Sequence, residues 1–170
     1  VTRMVYDEAG RVRLRIQNYV PQGASEPEDW VWNGTLSQWE DGASNPIDHG
    51  TDLDVNRIQS TEFDRAGRVL STRDTVGRVQ YHVYDVMGRR TLSVQNYVAQ
   101  GASTPDAWLW DETQSRWEDG AGNAIDHGTD NDQNLITQTS YNIAGQVVTT
   151  RDTRGTRTDY IYDDAGRRVS

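Results

Sequence analysis

The chain repeats itself at a fixed interval. Tyr6, Tyr84 and Tyr162 are evenly spaced, and each opens a Tyr-Asp-x-x-Gly-Arg hexamer. Laying residues 1–78 over 79–156 without a gap gives 44 identities, and 157–170 begins a third copy. Self-similarity at such a period marks an array of supersecondary units that bury a core only by stacking on one another. The expected organisation is therefore one continuous structural unit. It holds a first long repeat over 1–78, a second over 79–156 and the start of a third. A site for one-off chemistry is rarely built twice side by side, so no catalytic residue is assigned and the chain is expected not to be an enzyme.

Composition narrows the partners. All 17 basic residues are Arg, against 26 acidic ones, for a net charge of −9. Affinity for nucleic acid rests on basic clusters, so no nucleic-acid partner is expected. No apolar run approaches the roughly 20 residues of a membrane-spanning helix, which argues against membrane insertion. With no Cys, disulfides and thiolate metal sites are excluded. Leu, Ile, Val and Phe together number only 31 of 170, a level that with high net charge borders on disorder. Folding must lean instead on eight Tyr and six Trp. Each large aromatic can bury about 150–250 Å², an upper bound of about 4–6 kcal/mol.

A finer rhythm runs inside each long repeat. Gly67, Gly77 and Gly88 recur at nearly equal intervals, and Gly145, Gly155 and Gly166 reproduce that spacing. Each closes an Asp/Asn-x-x-Gly tetrad. Asp opening a type I turn can accept a hydrogen bond from the backbone two residues on, and a Gly with positive φ suits the bulge that closes a short hairpin. Between turns the residues alternate: Val12, Leu14 and Ile16 oppose Arg11, Arg13 and Arg15, and Val79, Tyr81 and Val83 oppose Gln80, His82 and Tyr84. This is the pattern of half-buried antiparallel strand. Strands are expected near 2–6, 11–18, 58–63, 68–73, 78–84, 89–97, 136–141, 146–151, 156–162 and 167–170. The Arg residues after the turn glycines (Arg11, Arg68, Arg78, Arg89, Arg167) should pair with turn aspartates or stack on Tyr rings.

The hexamers resemble the YD repeats of the RHS family. The matching residues are Tyr6-Asp7-Glu8-Ala9-Gly10-Arg11, Phe63-Asp64-Arg65-Ala66-Gly67-Arg68, Tyr84-Asp85-Val86-Met87-Gly88-Arg89 and Tyr162-Asp163-Asp164-Ala165-Gly166-Arg167, with Tyr141-Asn142-Ile143-Ala144-Gly145-Gln146 a degraded copy. The resemblance covers a little over half the chain. It implies an all-β fold, an antiparallel curved β-ribbon that belongs to a hollow shell as in bacterial RHS toxins, insecticidal toxin complexes and teneurins. It also implies an extracellular or cell-surface setting, with adjacent repeats as partners and self-association into filament or shell. Nothing in this chain resembles the autoproteolytic segment or the toxin that follows such shells.

One insert interrupts each long repeat, about 19–57 and again about 97–135. Both share Trp-x-Trp, then Trp-Glu-Asp-Gly-Ala, then Ile-Asp-His-Gly-Thr-Asp-x-Asp-x-Asn. Residues 29–40 read as a hairpin turning at Asn33-Gly34, although the second copy has Asp111-Glu112 there. The six indoles (Trp30, Trp32, Trp39, Trp108, Trp110, Trp117) admit two readings: a carbohydrate-binding surface with carboxylates nearby, or the core of the ribbon. The acidic runs Asp48, Asp52, Asp54, Asn56 and Asp126, Asp130, Asp132, Asn134 could hold calcium through closely spaced oxygens, or could be turns whose side chains satisfy backbone donors. No other cofactor is implied. His49 and His127 recur in Asp-His-Gly and are expected to be loop histidines.

Overall fold

A computed structural model describes residues 1–169. It is all-β and antiparallel, and its contacts divide it into two units, Val1–Val79 and Gln80–Ser170. In the first unit β1 (Arg3–Tyr6), β2 (Val12–Gln17), β5 (Arg57–Phe63) and β6 (Val69–Arg73) pair in that order, while β3 (Val31–Asn33) and β4 (Gln38–Glu40) form a separate hairpin. The second unit follows the same plan. Strands β7 (Val79–Tyr84, whose first residue ends the first unit), β8 (Arg90–Gln95), β11 (Leu135–Tyr141), β12 (Val147–Arg151) and β13 (Arg157–Asp159) pair in order, and β9 (Leu109–Asp111) with β10 (Arg116–Glu118) makes the separate hairpin. Each insert thus joins two strands that are neighbours in the sheet. Among the described residues no helix is long and apolar enough to cross a membrane.

One local structure makes the corners. At Asp7 the backbone N–H bonds to Arg11 O (2.8 Å), Gly10 N–H returns to Asp7 O (2.9 Å), and Gly10 takes φ 77°. The Asp7 side chain completes the turn, its Oδ1 accepting from the amides of Ala9 (3.0 Å) and Arg11 (2.9 Å). The strand register slips at Val5/Tyr6, where the bulge sits. This is a type I turn closed by a bulge glycine. The same two backbone bonds recur at residues 41, 64, 74, 85, 119, 142, 152 and 163, nine corners among the described residues. Two of them, Asp41 and Asp119, lie inside the inserts. There Ser44 (φ 64°) takes the glycine's place in the first insert and Gly122 (φ 83°) keeps it in the second, and Asn45 and Asn123 stand where Arg follows at five of the other corners.

Charge reinforces the Arg-bearing corners. Arg11, Arg68, Arg89 and Arg167 each give Nε to the Oδ2 of their own corner aspartate at 2.7 Å. Arg11 also lies over the Phe63 ring (4.4 Å) and Arg89 over Tyr141 (4.8 Å), so each reaches from one corner to the next. These bonds hold the Asp7 carboxyl below its ordinary value, the Arg11 side chain contributing most. At Asp64 partial burial pulls the other way but is outweighed by backbone and side-chain bonds from Arg68.

The core forms where the insert folds onto its sheet. In the first unit Val5, Leu14, Ile16 and Ile58 from the strands enclose Trp30, Trp39 and Ile47 from the insert. In the second, Leu92, Val94 and Ile136 enclose Trp108, Trp117 and Ile125. Aromatic burial supplies what the scarce aliphatics do not.

Three expectations need correction. The strand expected over 156–162 ends at Asp159. Over 167–169 there is only an isolated bridge, Tyr162 to Arg168, and residue 170 lies outside the described residues. The hairpin over 29–40 does not turn on a two-residue Asn-Gly loop. Asn33 ends β3, and a longer loop follows in which Asn33 Oδ1 accepts from Thr35 N (3.0 Å) and Leu36 N (3.1 Å), while Ser37 takes φ 52°. In β7, alternation does not separate buried from exposed. His82, on the face opposite Val79, is itself buried at 6% exposure.

Candidate functional site: an indole pair seated on a corner

Each insert is closed at its neck by two asparagines in left-handed backbone, a conformation Asn tolerates better than most residues. Asn18 (φ 51°) follows β2 and Asn56 (φ 44°) precedes β5, with Asn56 N–H bonded to Asn18 O at 3.1 Å. Asn56 is wholly buried, and both ends of its amide are used. Oδ1 accepts from Val20 N (2.8 Å), and Nδ2 donates to Asp48 O (3.0 Å). Asn18 Nδ2 reaches Asp54 O (2.8 Å), and His49 Nδ1 bonds to Asn56 O (2.9 Å). The second neck is the same device. Asn134 takes Val98 N (2.9 Å) and gives Nδ2 to Asp126 O (2.8 Å), Asn96 Nδ2 reaches Asp132 O (2.9 Å), and His127 Nδ1 bonds to Asn134 O (3.1 Å).

This geometry gives the oxygens of the acidic runs partners within the chain. Asn56 and Asn134 have their side-chain oxygens engaged by backbone amides. Asp48 and Asp126 spend Oδ1 on the amides of Gly50 and Gly128, both at 2.8 Å. Asp52, Asp54, Asp130 and Asp132 remain in the loop, and among the described residues no three His, Cys, Asp or Glu are grouped to hold a metal ion.

The indoles of the hairpin sit on the corner that follows β6. Trp39 is buried and donates Nε1–H to Asp74 O at 3.2 Å. Trp32 meets Trp39 edge to face at 5.7 Å and lies against Gly77, where an added Cβ would fall 2.3 Å from the ring. Gly77, with φ 85°, is therefore required twice, by its backbone conformation and by this approach. Arg73 stacks on Trp32 at 5.2 Å and donates to Gly77 O (3.1 Å). Thr75 Oγ1 ties the corner to β5, accepting from Ile58 N (2.7 Å) and donating to Ile58 O (3.1 Å).

The second unit rebuilds each contact. Trp117 Nε1 bonds to Asp152 O (3.2 Å), Trp110 lies against Gly155 with 2.2 Å to a Cβ there, Arg151 stacks on Trp110 (5.1 Å), and Thr153 Oγ1 binds Ile136 N (2.6 Å) and O (3.1 Å). Glu112 adds an ion pair to Arg151 and accepts from Trp110 Nε1 (3.0 Å).

A sugar-stacking surface would have to do without four of the six candidate indoles, since Trp30, Trp39, Trp108 and Trp117 are buried to 4% exposure or less. Trp32 and Trp110 are half-buried, each set against a glycine. Sequence reasoning passed over the residues of the seat: Arg73, Thr75, Arg151 and Thr153. Their signal was present, because Arg-Asp-Thr-x-Gly at 73–77 recurs at 151–155 and departs from the Tyr-Asp-x-x-Gly-Arg form.

No family model matches the chain, and no curated protein matches it. Solved structures of toxin-complex chains do. A crystal structure of TcdB2-TccC3 matches 99% of this chain at 20% identity with a TM-score of 0.37, and one of TcdB2-TccC3-TEV matches 99% at 17% identity with 0.38. The Tc holotoxin pore of Photorhabdus luminescens matches 98% at 18% identity with 0.35. The chain spans 7% of the length of each of these. At such identities and TM-scores the functional reading rests on the geometry of the chain itself.

Proposed function

We propose that the chain is a structural repeat module of a large secreted or surface RHS-like protein, a length of β-ribbon that builds a shell, scaffold or fibre by adding repeat to repeat. One observation carries the reading: the same corner is made nine times from one set of backbone bonds, among the described residues. A chain that spends its Asp, Gly and Arg on rebuilding one turn is organised for extension. Adjacent repeats are the natural partners, since strand edges present unpaired N–H and C=O groups that favour pairing. A bacterial toxin shell is the version that the resemblance of the hexamers favours. The adhesive alternative, a glycan on the Trp inserts with calcium support, would need open indole faces and free loop oxygens.

The test is a series of proteins carrying one, two, three and four long repeats. Stacked repeats share interface energy, so the unfolding midpoint should climb with each addition while the transition stays cooperative. Repeats that melt independently at one common temperature would defeat the proposal. Melting that shifts in calcium chelator, or indole fluorescence that responds to sugars, would favour the alternative.

A further inference from the structure

We propose that Asn33 is a self-modifying site, which the fold primes for conversion to aspartate and isoaspartate and whose product loosens the first Trp hairpin. Three features meet there. Asn33 Oδ1 accepts from two backbone amides, Thr35 N at 3.0 Å and Leu36 N at 3.1 Å. These donors polarise the side-chain carbonyl and face the oxygen that turns anionic when its carbon is attacked. The next residue is Gly34, which is exposed and carries no side chain to crowd its backbone nitrogen, the atom that attacks. The departing nitrogen, Nδ2, is held at 3.0 Å from both oxygens of Glu40, a carboxylate buried to 5% exposure.

The reaction balances without a co-reactant other than water. Gly34 N attacks the Asn33 side-chain carbonyl carbon and loses its proton to solvent. The bond to Nδ2 breaks, that nitrogen takes a proton from water, and ammonia leaves a five-membered imide. Water then opens the ring at either carbonyl. One product carries an ordinary aspartate and the other routes the chain through the β-carboxyl.

The second repeat shows what the product lacks. Asp111 already stands at the equivalent place, and its Oδ1 holds the same turn through Thr113 N (2.6 Å) and Gln114 N (3.0 Å). Its neighbour Glu118 is compensated by Arg116 (Nε, 2.9 Å) and Gln114 (3.0 Å). In the first repeat Gln38 and Leu36 occupy those positions. Gln38 Nε2 gives Glu40 a neutral donor (2.8 Å) in place of the guanidinium. A carboxylate formed at position 33 would replace the Asn33 donor to buried Glu40 with a like charge, which the neutral amide of Gln38 does not offset.

The test follows the native chain in mildly alkaline buffer by peptide mapping, against the same chain in denaturant. Conversion at Asn33 should run at least as fast in the native chain, with isoaspartate detected by enzymatic methylation. Gly34→Ala should slow it by about tenfold or more, because a Cβ hinders the attacking nitrogen. A native rate below the denatured rate would mean that the fold protects Asn33, and would overturn the proposal. Separately, Asn33→Asp should melt below the parent, and Asn33→Asp with Gln38→Arg should recover the loss. An unchanged melt in the single variant would overturn the claim that the product loosens the hairpin.

Discussion

The first repeat closes its Trp hairpin with Asn33, Gly34, Leu36 and Gln38, and the second uses Asp111, Glu112, Gln114 and Arg116, yet the two loops share one backbone. In both, a side-chain oxygen at the end of the strand accepts from amides two and three residues on, and a serine (Ser37 or Ser115) takes the left-handed position. The seat beneath the loop shows no such exchange. Trp32, Trp39, Arg73, Asp74, Thr75 and Gly77 have identical counterparts in Trp110, Trp117, Arg151, Asp152, Thr153 and Gly155. A loop needs an acceptor and a permissive φ, which several residue types supply. A seat needs an indole to meet a glycine face and a particular carbonyl, which few combinations satisfy.

The hardest trial of that equivalence is to remove the indole that bonds to the corner. Trp39→Ala and Trp117→Ala should each cost about 3–5 kcal/mol, the usual penalty for emptying a large aromatic site. Each also strips a donor from a corner carbonyl, Asp74 O or Asp152 O. Chemical denaturation of the two variants should give matching losses. If one costs several-fold less than the other, the seats are not equivalent and only one insert contributes to the core. Trp30→Phe and Trp39→Phe sharpen the point. The buried Nε1 of Trp30 has no protein acceptor among the described residues, so its loss should cost less than that of Trp39.

How much of this was legible beforehand varies with range. The corners were, because Asp and Gly at fixed offsets act within a single turn of chain. The strands were, because alternation around Leu14 and Ile16 reports one buried face. The corners at Asp41 and Asp119 were not recognised: Ser44 replaces the bulge glycine at the first, and Asn45 and Asn123 replace Arg at both, although Asp119 to Gly122 keeps the Asp-x-x-Gly form. The neck escaped for a different reason. Asn18 and Asn56 stand at opposite ends of the insert, and nothing local says that an Asn ending an acidic run is buried and holds Val20 and Asp48 rather than a cation. The Trp seat was half legible. The indoles stood out, but the partner of Trp39 is the backbone carbonyl of distant Asp74, and carbonyls leave no mark in a sequence.

Acid should separate the repeats next. His82 is buried in the second unit, and burial together with the nearby Arg90 charge holds its pKa below the ordinary value. Met4 stands at the equivalent place in the first repeat. A depressed folded-state pKa means that the unfolded chain takes the proton first. The contribution is therefore fully present above about 6.5 and is lost as pH falls from there through the folded value. The corner aspartates Asp7, Asp85 and Asp163 have lowered values too, through bonds from the Arg that follows each. Their contribution is intact above about 3.9 and is lost below it. Stability followed by denaturation against pH should therefore fall in two stages, and His82→Met should abolish only the first. A first stage that persists in the variant would place the titrating group elsewhere.

The smallest effect should have the opposite sign. Leu53 sits at φ 54°, where the second repeat places Asn131 at φ 52°. A left-handed backbone costs an ordinary L-residue about 1–2 kcal/mol, and Asn relieves part of it through its short polar side chain. Leu53 is also 45% exposed, so exchanging it sacrifices little buried apolar area. Leu53→Asn should accordingly raise stability by about 0.5–1 kcal/mol, less than the full left-handed penalty because Asn is only partly relieved. Asn131→Leu should lower it by a similar amount in the other repeat. The pair of reciprocal exchanges is more informative than either alone. If both destabilise, side-chain contacts of the loop outweigh its backbone, and the principle drawn from the hairpin loops fails at this loop, where the copies place different non-glycine residues at one left-handed position.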